Sequence, residues 1–171
     1  MEINRLVRSA KQGDQDALVR LIMNQKQEFY RLAYVYVKNQ QDALDVMEDM
    51  IVILYENIHR LKKEESFYSW SKTILVNCCK RHLRSSQKVI PLDSLYEEIH
   101  EDEFRQKEEQ ILLENHLSRL HQKHQEAIRL RYFLDMDYQA ISDLMKIPIG
   151  TVKSRISIGL KKLKESLGGE F

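Results

Sequence analysis

The chain is almost free of helix breakers. Its 171 residues include 5 Gly and 2 Pro, and both prolines, Pro91 and Pro148, lie in the second half. In a helix interior a glycine costs about 1 kcal/mol and a proline about 3 kcal/mol relative to alanine. Long stretches without either therefore favour helices over a sandwich or barrel. No strong run of alternating polar and apolar residues appears, nor any strand pattern alternating with helices. The fold class is read as all-α.

The length suits one ordinary domain or two small ones. A hydrophobic content of 43% supplies small cores. No apolar run approaches the roughly 20 residues that span a bilayer. No apolar secretory segment follows Met1-Glu2-Ile3-Asn4-Arg5, so a cytoplasmic protein without direct membrane insertion is expected. Cys78 and Cys79 are adjacent, and neighbouring cysteines rarely pair, so reduced thiols are expected.

The net charge of +1 hides an uneven distribution. Residues 1–86 carry 14 Lys/Arg against 11 Asp/Glu, residues 87–113 carry 3 against 8, and residues 114–171 carry 10 against 7. Two mildly basic blocks flank an acidic bridge, a pattern that suggests two nucleic-acid-facing modules and a connector.

Three or four helices are predicted in the first block. Leu18, Leu21, Ile22, Phe29, Leu32, Ala33 and Tyr36 have helical spacing between Asp14 and Val37. From Asp42 to Ile58, Ala43, Val46, Met47, Met50, Ile51 and Leu54 form an apolar stripe, with Asp42, Asp45, Asp49 and Glu56 on the other side. Asp42 is the expected N-cap. His59 to Ser66 reads as a loop, and Ser66 as the cap of a helix running to about Arg84. Residues 87–108, with Pro91 and the acidic run Glu97 to Glu103, read as an extended or weakly helical, flexible linker. Helical spacing resumes near Glu109 through Leu112, Leu113, Leu117 and Leu120. Three helices follow, roughly Gln122–Phe133, Tyr138–Met145 and Thr151–Leu167. The expected organisation is thus 1–86, a linker at 87–108, and 109–171.

The strongest signal lies between Met136 and Lys164. A short helix, a turn at Ile147-Pro148-Ile149-Gly150 and a longer helix form a helix-turn-helix. In the second helix Val152, Ile156, Leu160, Leu163 and Leu167 are expected to face inward, and Lys153, Ser154, Ser157, Lys161 and Lys164 outward. From Thr151 to Lys164 there are five Lys/Arg and no acid. Such a helix fits the major groove: side chains at its N-terminal end reach base edges and nearby cations neutralise phosphate. The blander alternative is an amphipathic helix with a solvated basic face.

Tyr138-Gln139-Ala140-Ile141-Ser142 followed by Ile149-Gly150-Thr151-Val152-Lys153-Ser154-Arg155-Ile156 resembles the minus-35-binding domain of extracytoplasmic-function sigma factors. Ala127 to Phe133 resembles the helix that precedes it. The resemblance implies minus-35 contacts by Thr151, Lys153, Ser154, Arg155, Ser157, Ile158 and Lys161. Three positions depart from the usual pattern: Ala140 replaces an acid, Lys146 a turn glycine, and Ile158 an arginine. Ile158 suits a thymine methyl rather than a bidentate guanine contact.

Phe67-Tyr68-Ser69-Trp70-Ser71-Lys72-Thr73-Ile74-Leu75-Val76-Asn77 resembles the family's promoter-opening helix. Phe67, Trp70, Ile74 and Leu75 read as core. The resemblance implies that Asn77 helps form the pocket for a flipped minus-10 base. It also implies contact by Leu61, which stands where an aromatic is common, by Lys62 and Lys63 in the loop, and by Lys80, Arg81 and Arg84 after the motif. Rings and cations together suit single-stranded DNA. Asp42 to Asp49 resembles the polymerase-docking helix, with Leu44 in place of an acid and Glu48 in place of glutamine. Asp42, Asp45, Glu48 and Asp49 would then meet core RNA polymerase at its β′ coiled coil. The remaining implied partners are the β flap, promoter DNA and an anti-sigma factor, often at the membrane. The linker would thread near the RNA exit path or serve as a soluble spacer.

No phosphate-cradling glycine loop appears. Cys78, Cys79 and His82 fall within one helical turn but lack a fourth metal ligand and an orienting group. No cofactor, metal or catalytic residue is expected. The resemblance implies an alternative sigma factor. Two other readings stay open: a stand-alone helix-turn-helix regulator, and a helical interaction protein or thiol enzyme using the two cysteines.

Overall fold

A computed structural model describes residues 2–86 and 101–168. The described residues form α-helices and short 3-10 turns, with no strand among them. The chain divides into two compact units, Met1–Gln87 and Lys88–Phe171. No helix among the described residues is long and apolar enough to cross a membrane.

The first unit contains α1 (Glu2–Lys11), α2 (Gln15–Asn24), α3 (Lys26–Val37), α4 (Gln40–Asn57) and α5 (Phe67–Ser86). Two 3-10 turns, Ile58–Arg60 and Glu64–Ser66, bracket Leu61, Lys62 and Lys63. The first helix adds to the predicted set. Gly13, at a φ of 100°, ends it in a conformation that L side chains rarely adopt. Asp14 then caps α2 by accepting from the Ala17 N–H at 3.2 Å. Leu6, Val7 and Ala10 bury one face of α1.

The predicted apolar positions of α2 and α3 are all buried, and Phe29 and Leu21 are fully enclosed. In α4 the stripe holds except at Ile51, which is 37% exposed. Asn39, not Asp42, caps this helix: its Oδ1 accepts from the Asp42 N–H at 2.8 Å, and its Nδ2 donates to Asp42 Oδ2 at 2.7 Å. Asparagine and aspartate cap about equally well, so the extended backbone at position 39 decides the boundary. In α5 Phe67 and Leu75 are core, whereas Trp70 and Ile74 are only half-buried. Both cysteines are free and buried.

The second unit contains α6 (Glu101–Ser118), α7 (Gln122–Tyr132), α8 (Tyr138–Met145) and α9 (Ile149–Ser166). Residues 101–108, expected to be linker, are helical. Their sequence is rich in Glu, Arg, Gln and Lys, which cost little helix propensity. Pro91 and the first part of the acidic run lie outside the described residues. Of the four leucines that carry the helical spacing, Leu117 is buried, Leu120, just past α6, half-buried, and Leu112 and Leu113 are exposed.

A polar clamp joins α6 to α7. Arg129 is 5% exposed and grips Glu114 with two hydrogen bonds, Nη1 to Oε2 at 2.9 Å and Nη2 to Oε1 at 2.6 Å. Its Nη2 also donates to Gln125 Oε1 at 3.1 Å. Bidentate pairing satisfies the guanidinium that burial has stripped of water.

Between α7 and α9, Gly159 provides the close approach. A Cβ there would stand 2.6 Å from Ile128 Cδ1 and 3.1 Å from His124 Cβ. Gly159 takes the inward place after Ile156, and Leu160, expected to face inward, is 37% exposed.

Candidate nucleic-acid and polymerase interfaces

In the first unit α5 gathers the predicted minus-10 residues. Asn77, Lys80, Arg81 and Arg84 are spaced three, four and seven residues along the helix, which puts them on one face. Trp70 and Thr73 continue that stripe toward the helix start. Trp70 packs against the buried Phe67 ring, 6.3 Å between centroids, and keeps part of its surface in solvent. Asn77, Arg81 and Arg84 are exposed and Lys80 is half-buried. Lys62 and Lys63 are exposed on the loop before α5. Leu61 turns inward and is buried.

Asp45, Glu48 and Asp49 project from the outer side of α4. Asp42 is less exposed and makes a second link, 3.2 Å from His82 Nε2 on α5. The distance places the two groups together, without a well-aligned hydrogen bond. The hydrogen bond from Asn39, with His82 adding to it, holds the Asp42 carboxyl below the usual carboxylate range, against some desolvation.

The cysteines beneath this surface are chemically quiet. Burial pushes the Cys79 thiol up to about 12, and burial also raises Cys78 against the pull of the Arg81 guanidinium. Both remain protonated thiols at neutral pH. Among the described residues no group of three or more His, Cys, Asp or Glu is placed to hold a metal ion.

In the second unit α8, the turn and α9 form the predicted helix-turn-helix. Asp137 caps α8 by accepting from the Ala140 N–H at 2.7 Å. Lys146 ends it in the left-handed region, φ 57°, where glycine is common. Ser142 Oγ then donates to the Ile147 carbonyl at 2.6 Å and fastens the turn. Pro148 opens α9 in extended backbone and offers no side-chain acceptor to its first turn, leaving the positive end of the helix dipole available to an anion.

On α9 Val152, Ile156 and Gly159 face the core. Ser154, Ser157, Ile158 and Lys161 occupy the opposite stripe, all exposed, and Lys153 is exposed beside them. Thr151 and Arg155 are half-buried at the flanks. Ile158 presents an apolar surface, 45% exposed, in the middle of this polar row.

Two side chains join the group that sequence spacing did not single out. The Tyr138 ring has Arg131 Cζ 5.4 Å and Lys153 Nζ 5.8 Å from its centroid. Arg131 is fixed further by donating to the Met136 carbonyl at 3.2 Å. Three helices thus bring two cations to one aromatic beside the start of α9. Arg131 and Tyr138 come from different helices, so no linear motif joins them.

Fold and surface together define a helical, two-unit DNA-binding protein. Two family descriptions match it: Sigma-70 region 2 over residues 15–89, and Sigma-70, region 4, over residues 110–163. The chain is 32% identical to RNA polymerase sigma factor SigV of Bacillus subtilis, covering 94% of this chain and 96% of that protein. It is 26% identical to the ECF RNA polymerase sigma factor SigW of the same organism, covering 98% and 97%. Its fold is like that of CnrH solved with the cytosolic domain of CnrY, with a TM-score of 0.71, 18% identity and full coverage of both chains. It is also like the sigma factor RpoE of Bartonella quintana solved with the anti-sigma factor NepR, with a TM-score of 0.61, 20% identity and coverage of 89% and 97%.

The chain belongs to the extracytoplasmic-function branch of the sigma-70 family of RNA polymerase sigma factors. It is an alternative sigma factor, which binds core RNA polymerase and directs promoter recognition and transcription initiation. A stand-alone helix-turn-helix regulator would not account for the region 2 match.

Proposed function

We propose that residues 1–86 dock on polymerase and open the minus-10 element, and that residues 109–171 read the minus-35 element. The acidic outer side of α4, with Asp42, Asp45, Glu48 and Asp49, meets the basic β′ coiled coil. The second unit meets the β flap. Asn77 holds a base flipped out of the duplex, Lys80, Arg81 and Arg84 follow the strand's phosphates, and Lys62 and Lys63 approach it from the loop. Leu61 supports that loop from beneath and offers the DNA only its edge. Thr151, Lys153, Ser154, Arg155, Ser157, Ile158 and Lys161 meet the minus-35 major groove, with Arg131 and Tyr138 beside them on the backbone.

The observation that carries this reading is the single face of α5 on which a half-exposed tryptophan, an exposed amide and three cations follow one another. Opening a base pair costs a few kcal/mol, which a site for the extruded base must repay. Stacking surface, amide hydrogen bonds and phosphate neutralisation are the terms that repay it. Asn77→Ala is expected to lower open-complex yield roughly tenfold, the loss of about one good base contact, while polymerase binding stays intact. Permanganate reactivity of unpaired thymines reads the opening, and an unchanged yield contradicts the pocket assignment.

The protein acts in the cytoplasm and is restrained there by an anti-sigma factor, in some settings one anchored at the membrane. The support is that two solved structures it resembles in fold hold a partner: RpoE with the anti-sigma factor NepR, and CnrH with the cytosolic domain of CnrY. The acidic segment at residues 87–108 serves near the polymerase's RNA exit path or as a spacer.

A further inference from the structure

The helix α1 lies outside the region 2 match, which begins at residue 15. It packs on both 3-10 turns that bracket Leu61, Lys62 and Lys63. Its buried face, Leu6, Val7 and Ala10, holds it there. Its outward side carries Arg5 and Arg8, three residues apart and both exposed. Arg8 Nε stands 3.7 Å from Glu64 Oε1, the carboxylate directly after Lys62-Lys63. The fold thus gathers four exposed cations from two separate segments, Arg5 and Arg8 from α1 and Lys62 and Lys63 from the loop. Three acids accompany them: Glu2 is engaged by Arg20 at 3.3 Å, the partly buried Glu64 meets Arg8, and Glu65 is exposed after the loop; with Arg20 counted, the cations still outnumber these acids five to three.

We infer that α1 extends the DNA-binding surface beyond the minus-10 pocket, with Arg5 and Arg8 contacting phosphates of the single strand that passes the Lys62-Lys63 loop. This rests on the promoter-opening reading above. Arginine suits the task, because its planar fork matches two phosphate oxygens and it is weakly hydrated. The Arg8 side chain is 69% exposed, so its pairing with Glu64 is open to exchange for one with phosphate.

The test uses full-length protein assembled with core polymerase, on a forked template built from the promoter that the wild-type holoenzyme selects from a random pool. In the Arg5→Gln, Arg8→Gln double variant both changes are on exposed side chains, so an unaltered circular-dichroism melt is expected. Each lost single-strand phosphate contact removes about 0.7 from the slope of log affinity against log salt, so the slope becomes shallower by about 1.4. Methylphosphonate linkages, placed in turn along the non-template strand, weaken the wild type at the contacted positions and leave the double variant indifferent there. Glu64→Gln, which breaks only the ion pair, leaves the slope unchanged. An unchanged slope in the double variant, equal responses of both proteins to every neutral linkage, or a loss reproduced by Glu64→Gln overturns the inference. A wild-type holoenzyme that selects and opens no promoter overturns the promoter-opening reading itself.

Discussion

The imidazole of His124 sits where α7 meets α9, its Nδ1 covered by protein and without a hydrogen-bond partner. Desolvation lowers its proton affinity first, and the charges of Lys162, the neighbouring His121 ring and Arg155 add to the effect. The direction of the linkage follows. Above the unfolded value of 6.5 the ring is neutral in both states and contributes nothing. As the pH falls below it, the unfolded chain takes up a proton that the folded chain resists. Stability of the second unit therefore declines on acidification from about pH 7, and the decline ends once the folded pKa is passed. His124→Leu is expected to flatten this part of the profile, measured as urea midpoints against pH by hydrogen exchange in α7 and α9. A profile of equal slope in the variant contradicts the assignment.

At the scale of elements, the second unit depends on how closely α7 and α9 approach. Gly159 permits that approach, and a leucine there must displace Ile128 and the backbone-proximal Cβ of His124. Gly159→Leu is expected to cost about 2 kcal/mol by overpacking. Gly159→Ala costs less, because a helical alanine regains about 1 kcal/mol of propensity. Thermal melts of the two variants rank them, and equal melting temperatures would mean the helices part without penalty. The same contact sets the angle at which α9 leaves the unit, so Gly159→Leu also tilts the row Ser154, Ser157, Ile158 and Lys161. The Arg129–Glu114 clamp works differently: it fixes α6 by charge and fork geometry where few leucines are buried.

At the scale of the molecule, two basic blocks, residues 1–86 and 114–171, flank an acidic stretch, and the total charge of +1 conceals both. The fold class, the helix-turn-helix and the outward row of α9 were legible because a 3.6-residue period tells helix from strand and one face from the other. What was hidden is equally specific. The period cannot rank two apolar residues that both lie near the boundary of a stripe, so it puts Ile51 and Leu160 inside and does not reveal that Leu112 and Leu113 are exposed. A small residue at a close approach displaces a large one only in three dimensions, as Gly159 does Leu160. The first helix was marked only by the Gly13-Asp14 stop and cap, and its role beside the Lys62-Lys63 loop needed the tertiary fold. The grouping of Arg131, Tyr138 and Lys153 likewise joins three helices across intervening turns. By contrast, Asn77, Lys80, Arg81 and Arg84 fall on one helix, so helical spacing alone unites them.

The central claim is that this chain gives core RNA polymerase a promoter preference that the core lacks. The direct measurement combines purified full-length protein with purified core enzyme and follows transcription from a pool of random promoters. A stable complex that starts transcripts at a shared pair of sequence elements is the result the account predicts. A folded protein, free of inhibitor, that neither binds the core enzyme nor starts selective transcripts would contradict it.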